Sequence, residues 1–335
     1  MSELRQDPVT GVWTIMAPER AGRPKDFRRA PDEGADASDC PFCPGHESMT
    51  PPTRLELSLP GEPGWTVRAF ENRFPSLTAA DGDDGLGSLH APAPYRGQPG
   101  FGVHEVIVET PRHAEGLADY TDAHAALLVD AYAHRIRRWR EDGRFAAAVL
   151  FRNFGMAAGA SLAHPHTQFV AMPRVPDALV RELGNFSFGA SEGRSCLLCA
   201  AVATDDAGGR TVFDDGVTVV HCPWAAPIPY FMRIAPRRCS DSLADATAGE
   251  RASLGAALVA AARAVRGTFG DVAFNVTVHD APYSAQHAGL PFHWHAEVVL
   301  RTSDQAGFEW GSGAYINVVD PDEAARELRE ALARG

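Results

Sequence analysis

The sequence has no long apolar run. No stretch of its 335 residues approaches the roughly 20 apolar residues that a membrane span requires. The first eight residues, 1–8, also lack the apolar segment of a signal peptide. We therefore expect a cytoplasmic protein that does not act at a membrane.

Positive charge is scarce as well. Lysine and arginine number 31 against 43 aspartates and glutamates, and the net charge of -12 with no evident basic face argues against nucleic-acid binding. A few local arginines would still be enough to bind a phosphate group. The 45% apolar and 22% charged content is that of a globular protein, long enough for one large or two medium domains.

Cysteines are few, and four of the six fall in two Cys-x-x-Cys pairs. Disulfides are rare in a cytoplasmic protein. The two pairs, Cys40/Cys43 and Cys196/Cys199, have the spacing of zinc knuckles. A redox pair has the same spacing but normally begins a helix after a strand. Because Pro44 and Gly45 follow the first pair, metal binding is the better interpretation.

The stretch around His164-Pro165-His166 is the most informative in the chain. It separates two runs typical of buried strands, Phe145–Phe151 and Thr167–Met172, and follows a loop of small residues at 155–161. Small side chains let the backbone approach a ligand. One histidine of this pair can bind a metal while the other faces a substrate cleft. The alternative is a pair of ordinary strand-end histidines beside a flexible loop.

The two halves of the chain follow one plan, which indicates a duplicated unit. Each has a cysteine pair, a strand ending in Pro-Arg, a long helix, a buried strand, a small-residue loop and a His-x-His strand. We predict the two helices over about 122–142 and 248–265 from their capping residues. The repeat assigns two closed, structural zinc sites: Cys40, Cys43, His113 and His164, and then Cys196, Cys199, Cys239 and His293. Cys239 could instead be a buried free thiol.

These patterns predict an α+β fold with two similar halves, 1–180 and 181–335. Mostly antiparallel strands would build one extended sheet or half-barrel flanked by helices. Only His166 follows the Gly-Ala-Ser loop and precedes Thr-Gln, so we expect an active first half and a structural second half.

The central stretch resembles the active-site signature of the galactose-1-phosphate uridylyltransferase family, in the histidine-triad superfamily. The residues that carry the resemblance are Asn153, Gly155, Gly159, Ser161, His164-Pro165-His166 and Gln168. It extends over nearly the whole chain, through Arg20, Arg23, the first cysteine pair, Phe70-Glu71-Asn72, His113 and Gly307-Phe308-Glu309. The resemblance implies two histidine-triad-like repeats and, by itself, a homodimer.

The resemblance also implies a mechanism. His166 would attack the α-phosphorus of UDP-glucose, and galactose-1-phosphate would take the uridylyl group from the covalent uridylyl-His166. The imidazole must be neutral, with its other nitrogen donating to a backbone carbonyl that zinc on His164 would fix. Gln168 would donate to a phosphoryl oxygen, and Ser161 would hold the β-phosphate side. The implied substrate-binding residues are Arg20, Arg23, Asn72, Asn153, Gly159 and Phe308.

Two departures from the family pattern leave the substrates open. Thr167 stands where the galactose enzymes have glycine, and the segment after Phe308 looks more like the branch of plant ADP-glucose phosphorylase. The alternative activity is therefore a nucleoside-diphosphate-sugar phosphorylase that uses inorganic phosphate. A zinc-stabilised nucleotide-binding module without turnover and a nucleotide hydrolase are further alternatives. The second metal site could also be built from Glu182, His279, His293 and His295.

Overall fold

The computed structural model describes residues 2–22, 37–79, 91–193, 196–284, 286–287, 289–302 and 305–334. The strands are β1 (Glu3–Gln6), β2 (Trp13–Met16), β3 (Thr53–Leu57), β4 (Val67–Glu71), β5 (Val103–Val108), β6 (Ala147–Phe154), β7 (His166–Met172), β8 (Thr211–Asp214), β9 (Thr218–His221), β10 (Met232–Pro236), β11 (Phe274–His279), β12 (His295–Leu300) and β13 (Tyr315–Asn317). The α-helices are α1 (Asp122–Asp142), α2 (Asp177–Ser191), α3 (Leu197–Ala207), α4 (Ala248–Phe269), α5 (Gly307–Ser312) and α6 (Pro321–Arg334).

Ten strands form one open antiparallel sheet in the order β3-β4-β5-β7-β6-β11-β12-β10-β9-β8. The order is symmetric about the β6–β11 pair, because each strand of the first half has a counterpart at the same distance on the other side. The pairing of Asn153 with Asn275 lies at this junction. The predicted α+β fold of two similar halves that share an extended antiparallel sheet is confirmed.

Local sequence explains where the two long helices begin. The Thr121 hydroxyl accepts from the backbone N–H of His124 at the start of α1, and Thr247 and Glu250 form a capping box at the start of α4. Helix α4 continues to Phe269, four residues beyond the predicted end. It passes through Gly267, where a Cβ would lie 3.2 Å from the Cβ of Ala331. Close packing of α6 therefore stabilises a turn that helix propensity alone disfavours.

The main core lies between the sheet and the two helices α1 and α4. The helices approach closely because Gly255 lies on the backbone of α1, where a Cβ would be 2.7 Å from the carbonyl carbon of Ala125. Strand pairing of Arg152 with Thr167 points both side chains toward these helices. His166 and Gln168, one residue away on each side, point to the opposite face, which carries the candidate site.

Strands β1, β2 and β13 form a separate small sheet that packs on the second half of the chain. The Asn317 amide donates to the carbonyl of Ala226 at 3.0 Å, and Arg233 donates to the Asp7 carboxylate at 3.0 Å. The N-terminal strands therefore contact the second half of the chain, although they belong to the first half in sequence. Among the helices described, none is long and apolar enough to cross a bilayer.

Candidate active site and metal sites

The two histidines of the His-Pro-His motif are oriented by backbone carbonyls. His164 is fully buried, and its Nε2–H donates to the carbonyl of Thr110 at 2.8 Å, which leaves its Nδ1 lone pair facing the cysteines. The Nδ1–H of His166 donates to the carbonyl of His164 at 2.8 Å. This bond selects the tautomer in which Nε2 of His166 carries the lone pair, as the sequence predicts for a nucleophile.

The first predicted metal cluster comes together at the start of β7. The Sγ atoms of Cys40 and Cys43 each lie 3.5 Å from Nδ1 of His164, and Cys43 Sγ lies 3.4 Å from Nδ1 of His113. Zn–S and Zn–N bonds of about 2.3 and 2.0 Å in a tetrahedron give an S···N edge of about 3.5 Å. The four residues therefore fit a metal ion of this kind, and all four ligand atoms lie within 4.8 Å of one another.

The second cluster repeats this arrangement. His293 donates from Nε2 to the carbonyl of Pro236 at 3.0 Å and presents Nδ1 to Cys196 and Cys199, at 3.3 and 3.5 Å. Cys239 completes the group and is exposed. The alternative interpretation of Cys239 as a buried free thiol is therefore wrong about its burial. Cys196 lies at the N-cap of α3, so a cysteine pair that begins a helix here belongs to a potential metal site.

The alternative second site loses one of its four members. His293 presents its Nδ1 to the cysteines, whereas the ligand atoms of Glu182, His279 and His295 lie within 4.8 Å of one another and could hold a metal ion without it. Burial opposes protonation of His279, but the Glu182 carboxylate 2.9 Å from its Nδ1, together with Glu297, outweighs burial and raises the pKa of His279 to about 9. These residues form a buried charge network on the second half of the sheet, to which Arg233 contributes through Glu297 at 2.9 Å.

His166 differs from its counterpart His295 in access. Both rings donate from Nδ1 to the carbonyl two residues earlier. His295 is 0% exposed and its Nε2 is buried with no hydrogen-bond partner, whereas His166 keeps 6% exposure. Burial, partly offset by the bond to His164, lowers the pKa of His166 and favours the neutral ring. The ring of Phe42 packs edge-on against it at 5.3 Å.

Gln168 lies on the same face as His166 and contacts a residue that sequence reasoning missed. The side-chain oxygen of Gln168 lies 2.9 Å from Nε2 of His104 on β5. Asn72, predicted to bind nucleotide, lies beside them with its Nδ2 3.1 Å from the same ring nitrogen. A lone histidine on a strand gave no sequence signal, because its partner follows 64 residues later.

The small-residue loop before the motif is held in shape by two asparagines. Asn153 donates to the carbonyl of Gly159 at 3.4 Å, and Asn275 donates to Asn153 Oδ1 at 2.7 Å and to the carbonyl of Ala158 at 2.8 Å. Gly159 has φ +89°, a conformation that favours glycine. Ser161 is exposed in the same loop. Asn153 thus shapes the loop, a role that the sequence did not assign to it.

A buried polar network lies behind His166, on the helix side of the sheet. The Thr167 hydroxyl donates to the Glu109 carboxylate at 2.7 Å and lies 2.7 Å from the Tyr132 hydroxyl. Arg152 donates to the same carboxylate at 3.0 Å, and Tyr120 does so at 3.2 Å. The threonine that departs from the family pattern is therefore a structural partner of a buried carboxylate rather than a residue of the cleft.

The remaining predicted substrate residues lie elsewhere. Arg20 is exposed in the turn after β2, and Phe308 is 42% exposed on α5, which adjoins β13 of the small sheet. Among the described residues, neither makes a hydrogen bond or ring contact with the His166 site. Arg23 lies outside the described residues.

Comparison with known proteins places this geometry in a family. Residues 1–176 match the galactose-1-phosphate uridyl transferase N-terminal domain. The chain is 31% identical to ADP-glucose phosphorylase from Arabidopsis thaliana over 98% of this chain and 92% of that protein, and 28% identical to galactose-1-phosphate uridylyltransferase from Thermotoga maritima over 98% of each. The crystal structure of the Arabidopsis thaliana ADP-glucose phosphorylase with bound ADP-glucose superposes with a TM-score of 0.84 at 29% identity, covering 98% of this chain and 99% of that one.

A uridylyltransferase structure also superposes, with a TM-score of 0.75 at 27% identity, covering 100% of this chain and 99% of that one. The matches to sequence and structure thus run the length of both halves. The chain belongs to the galactose-1-phosphate uridylyltransferase family and is an enzyme of the nucleotidyltransferase type.

Proposed function

We propose that the protein transfers a nucleoside monophosphate from a nucleotide sugar to a phosphate-bearing acceptor through a covalent nucleotidyl-His166. One observation carries the proposal: the bond from Nδ1–H of His166 to the His164 carbonyl leaves Nε2 unprotonated, on the face of the sheet opposite α1 and α4. A neutral imidazole is a competent nucleophile and a good leaving group near neutral pH.

The reaction takes two displacements at the same phosphorus. In the first, the Nε2 lone pair of His166 forms a bond to the α-phosphorus, and the bond from that phosphorus to the bridging oxygen breaks, which releases a sugar-1-phosphate. In the second, an acceptor phosphate oxygen attacks the α-phosphorus and the P–N bond breaks, which returns neutral His166. The positive charge on the ring of the adduct is stabilised by the His164 carbonyl. Gln168 donates to a non-bridging oxygen of the transferred group.

We propose zinc as the metal of both cysteine clusters, in accord with their soft ligands and tetrahedral spacing. Bound zinc would supply structural crosslinking rather than a reactive centre, because four protein ligands leave no open position. In the first half, His164 ties the crosslink to the carbonyl that orients His166. In the second half, the same link ends at His295, which is fully buried.

For the substrates, we place ADP-glucose and inorganic phosphate first. Support comes from the higher identity to ADP-glucose phosphorylase than to the Thermotoga uridylyltransferase, 31% against 28%, and from the TM-scores of 0.84 against 0.75. The second candidate is transfer of a uridylyl group from UDP-glucose to galactose-1-phosphate, which the family match over 1–176 supports.

We propose that residues 1–180 form the active half and 181–335 the structural half, and that the protein is a homodimer. Arg20 follows β2 and Phe308 lies on α5, so both adjoin the small sheet, which contacts the second half. The resemblance implies that these two residues contact substrate, and we propose that a second copy of the chain brings them to His166.

The test is an exchange assay with two donors and two acceptors. ADP-glucose or UDP-glucose is mixed with the enzyme and either inorganic phosphate or galactose-1-phosphate, and the nucleotide products are separated by chromatography. We expect ADP from ADP-glucose and phosphate. UDP-galactose as the main product would favour the second candidate. If none of the four combinations of donor and acceptor gave a nucleotide product, the proposed function would be contradicted.

A further inference from the structure

His104 on β5 holds the amide of Gln168 in one orientation. The two residues are diagonal neighbours on paired strands: Gln168 pairs with Val106, and His104 pairs with Val170. Both side chains therefore point to the His166 face, within reach of each other. The 2.9 Å separation between Nε2 of His104 and Oε1 of Gln168 is that of a hydrogen bond.

The protonation state of the His104 ring is set by the backbone. The amide N–H of Ser76 donates to Nδ1 of His104 at 3.1 Å, and the Ser76 hydroxyl lies 3.2 Å from the same nitrogen. A backbone N–H can only donate, so Nδ1 of the neutral ring carries the lone pair and Nε2 carries the proton. Nε2–H then donates to Gln168, whose oxygen must be the atom that faces His104.

The consequence for Gln168 is that its NH2 group is turned away from His104 while its side chain stays on the His166 face. Without His104, the amide could rotate by half a turn and present an oxygen to the phosphoryl group, which would repel it. The side-chain amide of Asn72 is also fixed in one orientation, because its Oδ1 accepts from the backbone N–H of Phe74 at 2.9 Å. Its Nδ2 lies 3.1 Å from Nε2 of His104, so the amides of Asn72 and Gln168 face the same ring nitrogen.

We propose that His104 is a positioning residue for nucleotidyl transfer, acting through Gln168: it fixes the amide so that N–H groups face the oxygens of the transferred phosphoryl group. The inference rests on the proposed function. It concerns the rate of the displacement at phosphorus rather than binding of the nucleotide sugar, because the negative charge on these oxygens is redistributed most in the transition state.

The test compares two replacements of His104 in the full-length, metal-loaded enzyme. Leucine fills similar space without a donor, whereas glutamine can place an N–H near the position of Nε2. The measured quantity is the rate of adduct formation with ADP-glucose in a single turnover, over a range of concentrations. We expect His104→Leu to lower the maximal rate by roughly tenfold to a hundredfold with little change in the half-saturating concentration. His104→Gln should recover most of the rate.

A double-mutant cycle separates positioning from a general structural effect. If His104 acts through Gln168, the double variant His104→Leu/Gln168→Ala should be no slower than Gln168→Ala alone. His134 is exposed on α1, on the other side of the sheet, so His134→Ala should behave as wild type. The proposal would be overturned if the rate loss in the double variant were the product of the two single losses. A wild-type rate in His104→Leu would also overturn it.

The ring can also be examined without turnover. Nitrogen-15 NMR of histidine-labelled wild-type protein should show His104 protonated on Nε2 and not on Nδ1, and a ring protonated on Nδ1 would overturn the inference. Wild-type enzyme that forms no adduct and no exchange product would instead contradict the proposed function, and with it the effect of His104 on transfer. An active wild type with an unaffected His104→Leu variant would contradict only the role of His104.

Discussion

At the scale of single residues, Thr167 shows how a position beside the proposed nucleophile can serve the core. Strand alternation turns its hydroxyl away from the cleft and onto Glu109, a carboxylate with no exposed surface. Arg152 and Tyr120 provide the other donors to this carboxylate. The network links Arg152 on β6 and Thr167 on β7 to Glu109, the residue that follows β5. It therefore connects the three neighbouring strands on the helix side of the sheet.

Replacing Thr167 with valine removes the hydroxyl and keeps the shape of the side chain. Glu109 then loses a donor and Tyr132 loses its partner within the core. We expect the free energy of unfolding to fall by about 1–3 kcal/mol, measured by urea denaturation. Thr204 is exposed on α3, so Thr204→Val serves as the control and should change stability by less than about 0.5 kcal/mol. Equal stability of the two variants would contradict this account of Thr167.

At the scale of elements, the two cysteine clusters have the same geometry but different neighbours. Each cluster contains a histidine whose backbone carbonyl accepts a hydrogen bond from the histidine two residues later. In the first half, that second histidine is partly accessible, whereas in the second half it lies in a charge network with Glu182, His279 and Glu297. Under the proposed function, the same element would support chemistry in the first half and stability in the second.

This difference predicts separable effects of metal loss. Cys43→Ser and Cys199→Ser should each lose one of two zinc equivalents, measured by elemental mass spectrometry. We expect Cys43→Ser to lower the transfer rate by roughly tenfold or more, because the His164 carbonyl is no longer fixed. Cys199→Ser should lower the unfolding temperature while its rate per folded molecule changes much less. The buried Cys222 lies outside both clusters, so Cys222→Ala should keep both metal equivalents. Full activity in a metal-depleted Cys43→Ser enzyme would count against the organising role.

At the scale of the whole molecule, the repeat read from the sequence foretells much of the fold. Spacing of like motifs predicted two matched halves, and the symmetric order of strands about β6–β11 bears this out. The sequence did not predict the small sheet, because β1 and β13 are short and pair with strands distant in the chain. The end of α4 also escaped prediction, since Gly267 weakens the helical pattern and α6, which packs closely there at Ala331, is distant in the sequence.

The candidate site divides in the same way. The two metal clusters follow from the two Cys-x-x-Cys pairs and the internal repeat, both visible in the sequence, and the orientation of His166 was implied by the family resemblance. His104 and Asn275 could not be predicted, because each contacts a side chain on another strand. His104 contacts Gln168, and Asn275 contacts Asn153. Side chains that only orient other side chains have no pattern of their own.

The most direct test of the central claim is the intact mass of the protein after mixing with ADP-glucose, or with UDP-glucose, in the absence of an acceptor. We predict that wild-type enzyme gains the mass of one nucleoside monophosphate group, that the gain disappears when the acceptor is added, and that His166→Ala gains nothing. An unmodified wild-type enzyme that still exchanges substrates, or an adduct that persists in His166→Ala, would contradict transfer through His166.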